Sequence, residues 1–288
     1  MRSLFKVYNK NYWVSIFGPI LTFFAPFIVT LLICEVYTFK SREQPVTLSI
    51  VVIPALVFFS SYILMVLILP QAIVEIKNSI LVKQLKASSI RTWQILFVGI
   101  IYYAITAIIA FVISVATARF LAVINSSMTE QIVYMFDQIN WLEMFYVLII
   151  NILVGCSIGM FIGSVFVSNA VISLIGVLII FVSCVLAGFL APLILTPTQH
   201  RGIWYLSYAD ILRYPITSIY EAWFSKAGPY NTNASSLFDF STNYSCMIAD
   251  FVPYPFDVFK PVDKILNLVA PYATIGVATI LAMRFFKM

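Results

Sequence analysis

The sequence predicts an all-α integral membrane protein of six transmembrane helices, with both termini on the cytoplasmic side. Three observations carry that prediction. The first is composition: of 288 residues, 62% are hydrophobic and 10% charged, with mean hydropathy +0.99. Soluble domains carry about 25% charged residues. The second is that apolar runs long enough to cross a bilayer recur along the chain. The third is that Lys and Arg collect in the segments that fall on one side. A net charge of +5 can signal nucleic-acid binding, but its placement fits membrane orientation, and no nucleic-acid partner is expected. A single transmembrane domain over residues 1–288 follows.

Residues 1–13, MRSLFKVYNKNYW, space Arg2, Lys6 and Lys10 four apart, with Leu4, Phe5, Val7, Tyr8, Tyr12 and Trp13 between them. This predicts an interfacial helix, its basic side toward headgroups or cytoplasm and its aromatics at the boundary. The first span is expected over about residues 14–34, about 31 Å at helical rise, bent by Pro19 and Pro26. Its apolar run is too long for a cleavable signal and no A-x-A site follows, so it is expected to stay as a span. In the next connection Glu35, Lys40, Arg42 and Glu43 cancel. The second span covers about residues 48–69 and is expected to stop at Pro70.

Residues 71–92, QAIVEIKNSILVKQLKASSIRT, are the one long charged, helix-patterned stretch. Lys77, Lys83, Lys86 and Arg91 stand against the single acid Glu75. Ile73, Ile76, Ile80, Leu81 and Leu85 recur at roughly the spacing of one helix face. The third span follows over about 93–118, then a polar loop with Arg119, Glu130, Asp137 and Trp141. The fourth span, about 142–167, meets the fifth, about 170–195, across a turn as brief as Ser168-Asn169. On the fourth, Gly155, Gly159 and Gly163 form two overlapping G-x-x-x-G steps, a helix-packing stripe. Residues 196–264 are the largest segment outside the spans. Within it, Leu206, Ala209, Leu212, Ile216, Ile219 and Trp223 form an apolar stripe that Pro215 is expected to split into two short helices re-entering the outer interface. The last span, about 265–283, contains Pro271 and ends in Arg284 and Lys287.

With the N-terminus inside, the inner segments hold Arg2, Lys6, Lys10, Lys77, Lys83, Lys86, Arg91, Arg284 and Lys287 against Glu75 alone. The outer segments then hold more acids than bases. The basic side is the cytoplasmic one.

Catalytic chemistry is largely excluded. No Gly is followed by Lys anywhere, so the G-x-x-x-x-G-K-[ST] phosphate loop is absent. His200 is the only histidine, which rules out H-E-x-x-H and multi-histidine metal sites, and no nucleophile elbow is expected. Cys34, Cys156, Cys184 and Cys246 make no CxxC pair; the first three lie in apolar runs and read as small hydrophobes, while Cys246 is expected in an exposed loop. The spans are nearly free of ionisable groups, with Glu35, Arg119 and Glu143 at their edges, which disfavours a proton- or sodium-driven carrier. Neutral polar residues remain inside. Their expected role is hydrogen bonding between helices; the sharper reading has Ser60, Ser61, Asn151 and Ser157 lining a substrate path.

Taken together, the layout resembles the permease subunit of type-two ABC exporters over nearly the whole chain. An interfacial helix precedes two spans, and a cytoplasmic coupling helix separates the second and third. The fourth and fifth join tightly inside, and an aromatic re-entrant outer segment precedes the last span. PQAIVEIKNSILVKQLKASSIRTWQIL is similar to the family's stretch of an acid and a basic run before a span, with Glu75, Lys77, Lys83, Leu85 and Lys86 at the corresponding places. VLAGFLAPLIL, with Gly188 and Pro192, is similar to the break ending the family's fifth span. Ser88-Ser89-Ile90, where the family often has a proline, and the extra length around 225–262 depart from it.

The resemblance implies a non-catalytic permease in the cell (plasma) membrane, paired with a second permease as a homo- or heterodimer. ABC ATPase subunits would hold ATP and Mg, and this chain would bind no cofactor. Glu75, Lys77, Lys83 and Lys86 would fix orientation on the ATPase while Ile76, Ile80 and Leu81 dock into its cleft. Export is the family's tendency, and the apolar spans suit amphipathic or lipid-linked cargo. Three readings compete: a basic segment held by anionic lipid; an ATP-independent membrane channel, scaffold or assembly factor; and, third, a membrane-embedded enzyme.

Overall fold

The computed structural model describes residues 2–31, 47–78, 91–124, 133, 136–137, 139–187, 201–224 and 261–286, and every regular element among them is helical. Five helices are long and apolar enough to cross a membrane, or six if the bent pair Leu4–Val14 and Phe17–Leu31 counts as one. In chain order, α1 is Arg2–Val14 and α2 is Phe17–Leu31. The helix α3 joins Thr47–Ile63, a π-helical turn Leu64–Ile68, and Leu69–Asn78. Then come α4, Thr92–Ile124; α5, Trp141–Val165; α6, Asn169–Leu186; α7, Arg201–Ser207; α8, Arg213–Phe224; and α9, Pro261–Phe285. Cys34, Gly188, Pro192, His200 and Cys246 lie outside the described residues.

The helix α1 turns 85° away from α2. Gly18 permits the bend, since a Cβ there would lie 2.9 Å from the Tyr12 ring and 3.0 Å from the Tyr12 carbonyl oxygen. The face of α1 toward the bundle buries Leu4, Tyr8 and Tyr12, while Phe5, Lys6, Lys10 and Trp13 are exposed. This is the amphipathic division that the spacing of Lys6 and Lys10 predicts. Tyr8 donates from its hydroxyl to the Ile95 carbonyl at 3.1 Å. Its ring fills the space beside Gly99, where a Cβ would meet the Tyr8 hydroxyl oxygen at 2.8 Å and the ring at 2.9 Å.

Two helices carry proline by the same device. In α2 a π-helical turn, Ile20–Phe24, ends with the Ala25 N–H bonded to the Ile20 carbonyl, and Pro26 follows. In α3 the π turn Leu64–Ile68 ends with the Leu69 N–H on the Leu64 carbonyl, and Pro70 follows. A proline inside a regular α-helix collides with the carbonyl four residues back and costs about 3 kcal/mol or more. Widening the preceding turn by one residue moves those carbonyls outward and lets the helix continue. The second span therefore does not stop at Pro70, as the bare proline rule led us to expect, but runs on to Asn78.

The helix α3 is the centre of the bundle, with 89% of its apolar window buried, against 22% for α6 and 11% for α9. Leu174, Leu178 and Phe181 on α6, and Leu268, Val277 and Ile280 on α9, point outward. Hydropathy cannot make this distinction, because a lipid-facing side chain and a core side chain are equally apolar.

At the end opposite α1, the stripe through residues 206–223 divides into two short helices as expected, but not at Pro215. Leu212, Ile216, Ile219 and Trp223 are buried, whereas Leu206 is exposed with Ala209. The break falls at Tyr208–Leu212, ahead of Pro215, which occupies the first turn of α8 where its missing N–H costs little. Arg213 is buried and closes this corner: its guanidinium lies 3.5 Å over the Tyr208 ring and donates to the Ser207 hydroxyl. Trp223 packs against Phe136 at 5.5 Å, and Arg119 covers the same phenyl ring.

Asp210 sits in this corner, where Oδ1 accepts the Leu212 N–H at 3.0 Å. Burial pushes its carboxyl up from 3.8, against the opposing pull of the Leu212 N–H and the Ser183 hydroxyl. The folded protein thus holds the proton more tightly than the unfolded chain. Stability falls as pH rises from 3.8 through the raised value, and the loss is complete above it. Asp210→Asn keeps the acceptor and removes the titration. It should raise the thermal midpoint at pH 8 and flatten its dependence on pH, measured on purified protein between pH 4 and 8.

Candidate functional site

The glycine stripe of α5 faces α3. A Cβ on Gly155 would lie 2.8 Å from the Met65 Cβ, and one on Gly159 would overlap the Met65 carbonyl oxygen. One on Gly163 would lie 2.9 Å from the Pro70 carbonyl oxygen and 3.0 Å from the Ile73 Cβ. Gly155, Gly159 and Gly163 therefore let α5 approach the very stretch of α3 that carries the π turn and Pro70. Gly176 of α6 approaches from the other side, where a Cβ would meet the Val66 oxygen at 3.1 Å.

Beyond Pro70, the end of α3 is fastened to the turn between α5 and α6. Gln71 donates from Nε2 to the Ser173 hydroxyl at 3.0 Å. Lys77 donates from Nζ to the Ser164 carbonyl at 2.9 Å, and Asn78 from Nδ2 to the Val167 carbonyl at 3.1 Å. The last carbonyls of a helix have no intrahelical donor, and cations are favoured beside them. Here α5 unwinds into extended backbone at Phe166, so the side chains of α3 supply the missing cap. The same end touches the interfacial helix region through α4, where Tyr102 donates to Asn9 Oδ1 at 3.1 Å and stacks with Tyr8.

The residues expected to meet an ATPase divide accordingly. Glu75 is exposed, Lys77 is half-buried and spent on Ser164, and Ile76 is buried at 1% exposure within the core. Ile80, Leu81, Lys83 and Lys86 lie outside the described residues. Lys77→Met should cost about 1–3 kcal/mol by leaving the Ser164 carbonyl uncapped. Glu75→Gln should stay within about 0.5 kcal/mol. Thermal unfolding of the two variants in detergent checks the contrast.

The residues suggested for a substrate path are dispersed among helix contacts. The Ser60 and Ser114 hydroxyls lie 2.9 Å apart, and Ser61 donates to the Ala107 carbonyl at 2.9 Å, so both join α3 to α4. Ser157 donates to the Val154 carbonyl of its own helix at 2.8 Å. Gly155-Cys156-Ser157-Ile158-Gly159 spells G-x-S-x-G, but it lies in the middle of α5 with no strand-to-helix elbow to project the hydroxyl. Asn151 is fully buried with neither amide atom hydrogen-bonded. Ser60 alone of the four borders a cavity of about 10 Å³ between α2 and α3, which Leu21, Pro26, Thr30, Phe59 and Ile63 also line. Thr30 is fully buried there without a hydrogen-bond partner. Among the described residues no group of three His, Cys, Asp or Glu could hold a metal ion.

Sequence reasoning does not single out Gln71, Asn78 or Gly176, and it places Tyr8 at the membrane boundary where the structure buries it. The only signal for them is that α5 ends without a capping residue of its own, and that glycine recurs at Gly99 and Gly176 in otherwise apolar helices.

The family model described as ABC-2 type transporter matches residues 1–224. No curated protein and no solved structure gives a significant match. The matched region runs from α1 through α8 and includes the tethered end of α3. ABC-2 permeases are membrane components that work with ABC ATPase subunits and are generally non-catalytic themselves. The chain belongs to the ABC-2 type transporter family, as a multi-pass permease subunit of an ABC transporter in the cell membrane.

Proposed function

We propose that this permease is one half of a dimeric, ATP-driven exporter, and that residues 71–92 are the handle through which separate ATPase subunits move it. The observation that supports this most is mechanical. Residues 71–78 continue α3, the most buried helix, and are tied by Gln71, Lys77 and Asn78 to the α5–α6 turn. A displacement applied at this end is shared by three spans at once. The orientation follows the Lys and Arg distribution, with N- and C-termini inside.

In this reading Glu75, Lys83 and Lys86 orient the ATPase, and Ile80 and Leu81 enter its cleft. Ile76 and Lys77 hold the handle to the bundle. ATP and Mg are bound by the partner, and this chain carries no cofactor. The chain pairs with a second permease, a copy of itself or a related one, within the bilayer. The cargo is amphipathic or lipid-linked, in keeping with spans almost free of charge.

The test is purification of the tagged chain from its native membrane in mild detergent. A stoichiometric second chain with Mg-dependent ATPase activity is expected. A monodisperse permease with no ATPase chain, under conditions that preserve other ABC complexes, would overturn the reading.

A further inference from the structure

We propose that α3 is jointed at Leu64–Pro70, and that this joint absorbs relative motion between an α1–α4 block and an α5–α6 block of the permease.

On its two sides the hydrogen bonds of the helix go chiefly to different partners, although it also packs on α5 before the π turn and on α4 after it. On the far side of the π turn, Ser60 meets Ser114, Ser61 donates to the Ala107 carbonyl, and Phe58 packs edge-on against Phe111 at 5.0 Å. All three contacts are with α4, which also carries α1 through Tyr8 and Ile95. On the near side, Gln71, Lys77 and Asn78 bind residues of α5, α6 and the turn between them. Relative displacement of those partners therefore loads the stretch in between.

What lies in between is a stretch where the regular hydrogen-bond ladder of the helix is interrupted. Pro70 has no N–H. In α-helical register the carbonyl that loses its donor is Val66, and in the π register of Leu64–Ile68 it is Met65. Met65 and Val66 are also the two carbonyls that the neighbouring helices approach through glycines, Gly159 from α5 and Gly176 from α6. The glycines leave these carbonyls against bare backbone, while the Met65 and Leu67 side chains lie over Gly155 and Gly176. A parallel break precedes Pro26 in α2, and the cavity bordered by Leu21, Thr30, Ser60 and Ile63 occupies the space between α2 and the part of α3 before the joint. Thr30 there has no hydrogen-bond partner that would hold α2 in place. The side-chain hydrogen bond at the joint itself is a weak one, from the Cys156 thiol of α5 to the Met65 thioether at 3.1 Å.

The inference concerns the permease alone and does not depend on an ATPase docking at residues 71–92. Hydrogen–deuterium exchange on the full chain in nanodiscs reads it directly. Amides of residues 64–72 are expected to exchange about tenfold faster or more than those of 53–62 and 73–78. Pro70→Ala restores a donor and should bring the segment to within about threefold of its flanks. In the same variant, the distance distribution between nitroxides at the exposed positions Val123 and Leu174 should narrow relative to the parent. Wild-type amides at 64–72 as slow as both flanks would overturn the joint, and this reading stands even if Pro70→Ala does not fold. A folded Pro70→Ala whose exchange and distance distribution match the parent would overturn it equally.

Discussion

Gly159→Ala is expected to lower the stability of the permease by about 1–3 kcal/mol, the range for forcing an extra carbon into a packed interior, and Gly159→Leu to prevent assembly of the bundle. The new Cβ would overlap the Met65 carbonyl oxygen, a backbone atom that cannot swing aside as the end of a side chain can. To make room, α5 must move off α3. That would also loosen Gly155 against Met65 and Gly163 against Pro70, because the three glycines lie on one face. The loss is large because helices in a bilayer gain little from burying apolar surface against each other and depend on close packing. Gly276→Ala is the control: a Cβ there meets nothing within 4 Å, and no loss is expected. The thermal midpoint of the monodisperse fraction in detergent, read for both variants, decides the matter. Equal midpoints for Gly159→Ala and the parent would mean that α3 and α5 are not in backbone contact.

The second large effect falls on the partner. The double variant Ile80→Asp, Leu81→Asp should reduce co-purified ATPase by tenfold or more, since losing two apolar anchors at a docking site removes on the order of 2–4 kcal/mol. The substitutions belong at Ile80 and Leu81 and not at Ile76. Ile76 is buried among the permease's own helices, so a carboxylate there would damage the bundle and lose the ATPase for a trivial reason. The permease carrying the double change should keep its thermal midpoint and its elution volume. An ATPase still retained at parental stoichiometry would remove residues 80–81 from the interface.

The contrast between Ile76 and Ile80 shows what could be read without coordinates. The all-helical, multi-span class, the amphipathic α1 and the small-residue stripe were legible, because each depends on local pattern: Arg2, Lys6 and Lys10 at four-residue steps, Gly155, Gly159 and Gly163 likewise. The course of α3 was not. Pro70 is a strong local stop signal, and it is overridden by a π turn that shows only in the hydrogen bond from Leu69 to Leu64. Lys77 was expected to face a partner on its charge, yet its ammonium caps α5. That pairing depends on where α5 unwinds at Phe166, 89 residues later in the sequence than Lys77 by position number. The split of the stripe through Leu206 and Ala209 into two short helices was legible, but its place was not: Pro215 fits the first turn of α8, and the break falls ahead of it at Tyr208–Leu212.

The most direct test of the central claim is a photocrosslinking amino acid placed at Leu81 in the full-length chain and irradiated in native membranes. The account predicts an adduct with the mass of the permease plus an ATPase chain. It also predicts that a cysteine at Lys83 stays unlabelled by an impermeant reagent in intact cells. No ATPase adduct at Leu81, together with labelling of Lys83→Cys from outside, would contradict both the orientation and the coupling role of residues 71–92.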